Sequence, residues 1–165
     1  MKRFADPVAF GRFIVGLAII LLPEAPAASQ MLSPKAIAGI HSEDVRFAPF
    51  AAFPEGAQIA PVVGDPTRPG PYVVRVRVAG GVRLMPHRHP EDRVYTVISG
   101  IFYIGFGETF DAAKLKAYGP GSVVVLPGNT PHFHWAMSGE YVTQVSGSGP
   151  LGIAYVDPAD DPRRR

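Results

Sequence analysis

The chain has no cysteine among its 165 residues. That absence excludes disulfide bonds, zinc–thiolate sites and thiol nucleophiles together, so any metal must be held by nitrogen and oxygen. Charge is also scarce. Asp, Glu, Lys and Arg make up 18% of the residues, and 16 basic against 14 acidic side chains leave a net charge of +2. So small a surplus is a weak electrostatic footprint for nucleic acid, and no such partner is expected. No serine–histidine–acid order and no phosphate-binding glycine loop is visible. Gly105-Phe106-Gly107 stands between a strand-like run and a short polar stretch, and reads as a turn.

Turn-formers, by contrast, are plentiful. Eighteen glycines and eighteen prolines argue against a helical bundle and for many short strands joined by turns. Apolar residues reach 47%, enough for a real core, and the length suits one domain. There is no internal repeat.

The first 27 residues read as an address. Lys2, Arg3 and Arg12 are positive, Phe13–Leu22 is an apolar run of ten, Pro23 breaks it, and Ala25-Pro26-Ala27 offers a small-x-small site. This is the order of a secretory signal peptide, and the run is shorter than the roughly 20 residues that span a bilayer. The alternative is an uncleaved N-terminal anchor. Export to a periplasmic or extracellular compartment is expected, with no membrane contact after cleavage, and it suits a chain without thiols.

Residues 28–56 read as a loosely ordered lead-in arm. Strand-like runs then recur: Gln58–Val63, Tyr72–Ala79, Val82–His89, Val94–Ser99, Ile101–Gly105, Ser122–Leu126, His132–Met137, Glu140–Val145 and Ile153–Val156. In Tyr72–Ala79, Val74, Val76 and Val78 share one face and Arg75 and Arg77 the other, which reads as solvated. Only 110–117 has helical spacing, for a short helix of about two turns. An all-β sandwich or barrel over 57–157 is expected, closed by a solvated charged tail, 158–165.

Four of the five histidines fall in two pairs, His87 with His89 and His132 with His134. On a strand, i, i+2 spacing puts both rings on one face. Imidazoles side by side on an inward face pack poorly and ligate metals well. His41 stands alone and reads as a surface residue.

Gly81-x5-His87-x-His89, closing at Gly100, and Gly121-x5-Pro127 followed by His132 resemble the two conserved motifs of the cupins. His89-Pro90-Glu91-Asp92 and Tyr155-Val156-Asp157-Pro158 resemble phrases of small bacterial cupin-domain proteins. The resemblance runs from about Gln58 to Val156. It implies a small antiparallel jelly-roll barrel, the double-stranded β-helix, with His87, His89 and His132 converging on one metal ion. By the same resemblance the protein would pair as a homodimer through edge strands. This sequence departs from the family pattern in three places. Arg93 stands where the family has its acidic ligand, Pro127-Gly128-Asn129 replaces Pro-x-Gly, and Ala136 replaces a final asparagine.

A guanidinium neither ligates nor loses its proton. Three arrangements are therefore open. Glu91, which has the histidines' strand parity if the strand continues through Pro90, takes over as oxygen ligand while Arg93 pairs with Asp92. Or the histidines alone hold the ion and Arg93 binds an anionic substrate beside it. Or the barrel takes an organic ligand without metal. His134 would complete the ligand set or orient a ligand from behind. Tyr95 shares Arg93's face, and Gln144 reads as inward-facing with Val142 and Ser146. Phe133 and Trp135 alternate with the histidines and read as packing.

A site without thiolates suits Fe, Mn, Ni, Cu or Zn as a divalent ion. The expected function is a secreted, mononuclear cupin acting on a small anionic or enolic molecule, with oxygenase- or isomerase-like chemistry. A non-catalytic ligand-binding or sensor module is the alternative reading, since fold does not fix function.

Overall fold

The computed structural model of the chain describes residues 39–165. The expected signal segment, 1–27, and the lead-in arm to residue 38 lie outside the described residues. The strands are β1 (Ala48–Pro49), β2 (Ala57–Val63), β3 (Gly70–Val78), β4 (Arg83–Arg88), β5 (Arg93–Ser99) and β6 (Phe102–Phe106), followed by β7 (Lys116–Tyr118), β8 (Val123–Leu126), β9 (His132–Trp135), β10 (Tyr141–Gly149) and β11 (Ala154–Tyr155). They form two antiparallel sheets, ordered β1-β2-β3-β10-β5-β8 and β11-β4-β9-β6-β7. Among the described residues no helix is long and apolar enough to cross a membrane.

Alternation drives the layering. On β3, Val74 and Val78 are fully buried and Val76 packs against the same core. Arg75 and Arg77 take the outer face, where the Arg77 guanidinium lies 4.3 Å over the Phe47 ring. One core joins both sheets: Val74, Tyr95, Val97 and Val145 from the first meet Leu84, Phe102 and Ile104 from the second. The all-β expectation holds, and each of the nine strand-like runs has its strand.

The closing glycine of the first histidine motif has a steric reason. Gly100 turns β5 into β6 at φ 69°, and a Cβ there would run into the backbone carbonyl oxygen of Glu140. Only a residue without a side chain accepts both conditions.

Three expectations change. The second half of the lead-in arm is built into the fold, because β1 pairs with β2 and Ala52 is buried. The helix over 110–117 is a single 3-10 turn, Ala112–Lys114, with the Asp111 carboxylate accepting from the Ala113 amide. Pairing of β7 with β6 ends it, and Phe110 rests on Phe133 and Trp135. The charged tail is folded too. Pro158–Asp160 and Pro162–Arg164 are 3-10 turns, Asp161 is buried and ion-paired with Arg163, and Arg163 donates to the Ile153 carbonyl.

Candidate metal centre

His87 lies on β4, His89 just beyond it, and His132 and His134 on β9, which is hydrogen-bonded to β4. The register sets His87 opposite His132. Period-2 alternation points both pairs inward, and none of the four rings is more than 5% exposed. Ring centroids are 4.3 Å apart for His87–His132, 4.9 Å for His87–His89, and 5.0 Å for both His89–His132 and His132–His134. One ring nitrogen from each of His87, His132 and His134 falls within 4.8 Å of the others, a group that could hold a metal ion. His89 stands beside this trio.

The backbone fixes the ring tautomers. Nδ1 of His87 faces the Met85 carbonyl at 2.7 Å, Nδ1 of His89 the Gly152 carbonyl at 2.7 Å, and Nδ1 of His132 the Thr130 carbonyl at 3.0 Å. A carbonyl can only accept, so each Nδ1 carries the proton and each Nε2 keeps its lone pair. Nδ1 of His134 lies 3.5 Å from the Tyr141 hydroxyl. Burial above all holds the four rings below the ordinary imidazole range, His132 at about 4. They are neutral at neutral pH. Nε2 of His132 and of His134 is buried with no hydrogen-bond partner. A buried polar atom without a partner is costly, and a cation at the centre would satisfy both. The donor set therefore fits a divalent metal.

Arg93 does occupy an inward position on β5, 5% exposed at its side chain. It turns to Glu91 rather than Asp92. The Glu91 Oε1 atom accepts from Arg93 Nε at 3.0 Å and from the Tyr72 hydroxyl at 2.8 Å, while Oε2 accepts from the Gly152 amide at 3.3 Å. A second guanidinium nitrogen of Arg93 also contacts Glu91 and donates to the Gly152 carbonyl at 3.1 Å. Asp92 instead accepts from the Gly128 amide at 2.6 Å. The Glu91 carboxylate is thus committed to a neutralising pair, and the Arg93 charge is already balanced. Gly152 can sit this close only because it lacks a Cβ, which would meet Pro90 at 2.7 Å.

The histidines face a small cavity of about 20 Å³. That is room for a water molecule or an ion and little more. Its walls include His87, His89, His134, Arg93, Tyr95, Tyr141, Thr143, Val145 and Phe53. Burial raises the Tyr95 phenol, so its hydroxyl stays protonated. Gln144 is on the other side of its strand. The inward residues of β10 are Tyr141, Thr143 and Val145, and Gln144 accepts from Arg75 Nε at 3.4 Å on the outer face. Apolar residues occur at both parities of β10, so alternation there admitted either reading. Thr143 could have been found by giving weight to Tyr141 and Val145 over the single Val142. Tyr72 and Phe53 carried no sequence signal, since both arrive from distant segments.

No family model and no curated protein matches the sequence. Solved structures do resemble it. The polyketide cyclase RemF from Streptomyces resistomycificus is 16% identical with a TM-score of 0.63, over 78% of this chain and 91% of that one. An RmlC-like cupin protein from Ralstonia eutropha JMP134 is 20% identical with a TM-score of 0.56, over 75% and 74%. A cupin 2 conserved barrel domain protein from Rhodopseudomonas palustris is 17% identical with a TM-score of 0.56, over 74% and 87%. At such identities the likeness speaks to the fold.

Proposed function

Starting from a chain with the cupin fold, we propose an exported protein that holds one divalent transition metal on His87, His132 and His134, with His89 beside them. It acts on a small anionic or enolic organic molecule. The observation that carries this reading is the pair of buried, unpartnered Nε2 atoms on His132 and His134. Export rests on the signal-like order of residues 1–27.

A bound ion of this kind supplies Lewis-acid polarisation of a substrate oxygen. The residues of the chain set the conditions. Four neutral imidazoles offset none of the ion's charge, so the site favours an anion beside it. Arg93 lines the cavity but is paired with Glu91, so it shapes the field of the pocket without being a free anion anchor. The protonated Tyr95 hydroxyl is a hydrogen-bond donor in the same wall. Tyr141 and Thr143 add two further hydroxyls from β10.

The cavity volume favours one other reading, a module that binds an ion or small ligand without turning it over. Metal analysis decides the shared premise. Protein purified without chelators is expected to carry about one equivalent of transition metal. His132→Ala and His134→Ala should each weaken retention by at least about tenfold. Equal metal content in wild type and both variants would remove the histidine cluster as the ligand set.

A further inference from the structure

The cavity walls come from β3, β4, β5, β9 and β10 and from the β4–β5 crossing, with one exception. Phe53 belongs to none of these. It sits in the hairpin loop 50–56, between β1 and β2 on the edge of one sheet. The loop is anchored to the edge of the other sheet, where the Tyr155 hydroxyl on β11 donates to the Ala52 carbonyl at 2.9 Å. Inside the loop, the Phe53 amide donates to the Phe50 carbonyl at 2.8 Å and the two rings meet edge-on at 5.0 Å. The loop thus bridges the gap between the sheets, with a half-buried aromatic ring facing the histidines.

A larger space lies beside the same loop. A groove of about 390 Å³ is lined by Pro54, Glu55, Arg83, Met85 and Tyr155, together with residues of the folded tail. Pro54 follows Phe53 in the chain, and the Tyr155 ring that lines the groove is 5.7 Å from the His87 ring. Groove and histidine chamber have no lining residue in common; they approach each other where Pro54 follows Phe53 and where Tyr155 stands beside His87. The chamber admits a water-sized group; the groove is large enough for an organic molecule.

We propose that Phe53 is the specificity-determining gate of the histidine site. A water-sized ligand reaches the histidines with the gate in place. A ring-sized carboxylate or enolate reaches them only when the 50–56 loop swings out. The substrate class is then a small organic anion whose upper size Phe53 sets. This deepens the metal reading and rests on it.

The test uses the full chain loaded with Co(II), whose visible absorption reports a change at the ion. Fluoride and benzoate are the probes. In wild type, fluoride should perturb the band and benzoate should do so weakly. Phe53→Ala should tighten benzoate by about tenfold or more while fluoride stays within about twofold, since a vacated ring volume favours the larger ligand alone. Phe53→Leu should fall between and covers the case in which the alanine variant does not fold. Tyr155→Phe should speed benzoate association by releasing the tether. If the protein takes up no Co(II), the metal reading falls and the gate with it. If Co(II) binds and benzoate affinity is the same in wild type, Phe53→Leu and Phe53→Ala, the gate alone is overturned.

Discussion

At the scale of single residues, the most consequential departure is Arg93, because it brings a permanent charge into the interior beside four imidazoles. The chain answers with Glu91 rather than with solvent. The pair is almost fully enclosed, and Tyr72 and the Gly152 amide occupy the carboxylate's remaining lone pairs. Removing one partner of a buried pair leaves an uncompensated charge, which costs about 3–5 kcal/mol. Glu91→Gln is accordingly expected to lower stability by that order in urea titration. Replacing both residues, as in Glu91→Leu with Arg93→Met, should recover much of the loss. A Glu91→Gln cost under about 1 kcal/mol would mean the pair is not enclosed as described. The two histidine pairs were legible because i, i+2 spacing on a strand has one structural meaning. The fate of Arg93 was not. Its partner's other contacts, Tyr72 and Gly152, lie 19 and 61 residues from Glu91. No local pattern links positions so far apart.

At the scale of elements, the Tyr155 tether joins β11 to the β1–β2 loop, and it is sensitive to pH. Burial above all pushes the Tyr155 phenol up to about 12 from its ordinary value near 10. The folded chain therefore keeps a proton that the unfolded chain releases. Its contribution is complete below about pH 10 and is lost as pH rises towards 12. Urea midpoints at about pH 9 and about pH 11.5 should fall further in wild type than in Tyr155→Phe. Tyr72, Tyr95 and Tyr141 are raised in the same direction and weaken both proteins alike, so the difference isolates the tether. Equal falls in the two proteins would show that Tyr155 is not held as a donor. The long strands were legible because alternation and Gly/Pro punctuation repeat over many residues. The strands β1 and β7, of two and three residues, have too little length to show a period and exist only through pairing with β2 and β6. The tail was legible as charged but not as folded, since Asp161 and Arg163 pair within a turn that composition does not reveal.

At the scale of the whole molecule, the site draws the chain together across a long stretch of sequence. His87 and His89 come from β4 and its exit, His132 and His134 from β9, and the Arg93–Glu91 pair lies where the chain crosses from one sheet to the other. In the unfolded chain these imidazoles have no fixed relation, so a metal that needs several of them binds the native state preferentially. Such binding stabilises by mass action, about 2.7 kcal/mol when free metal is a hundred times Kd. For a domain of this size that corresponds to a rise in Tm of about 10 °C. The rise should grow with the logarithm of Zn(II) or Co(II) concentration and vanish on adding excess EDTA. Substituting both His132→Ala and His134→Ala should abolish it even though that variant starts from a different Tm, because the slope against metal, and not the baseline, reports the linkage. A slope unchanged in the double variant would place the bound metal elsewhere on the molecule. A slope absent from wild type would mean that the buried nitrogens are satisfied by something other than an ion.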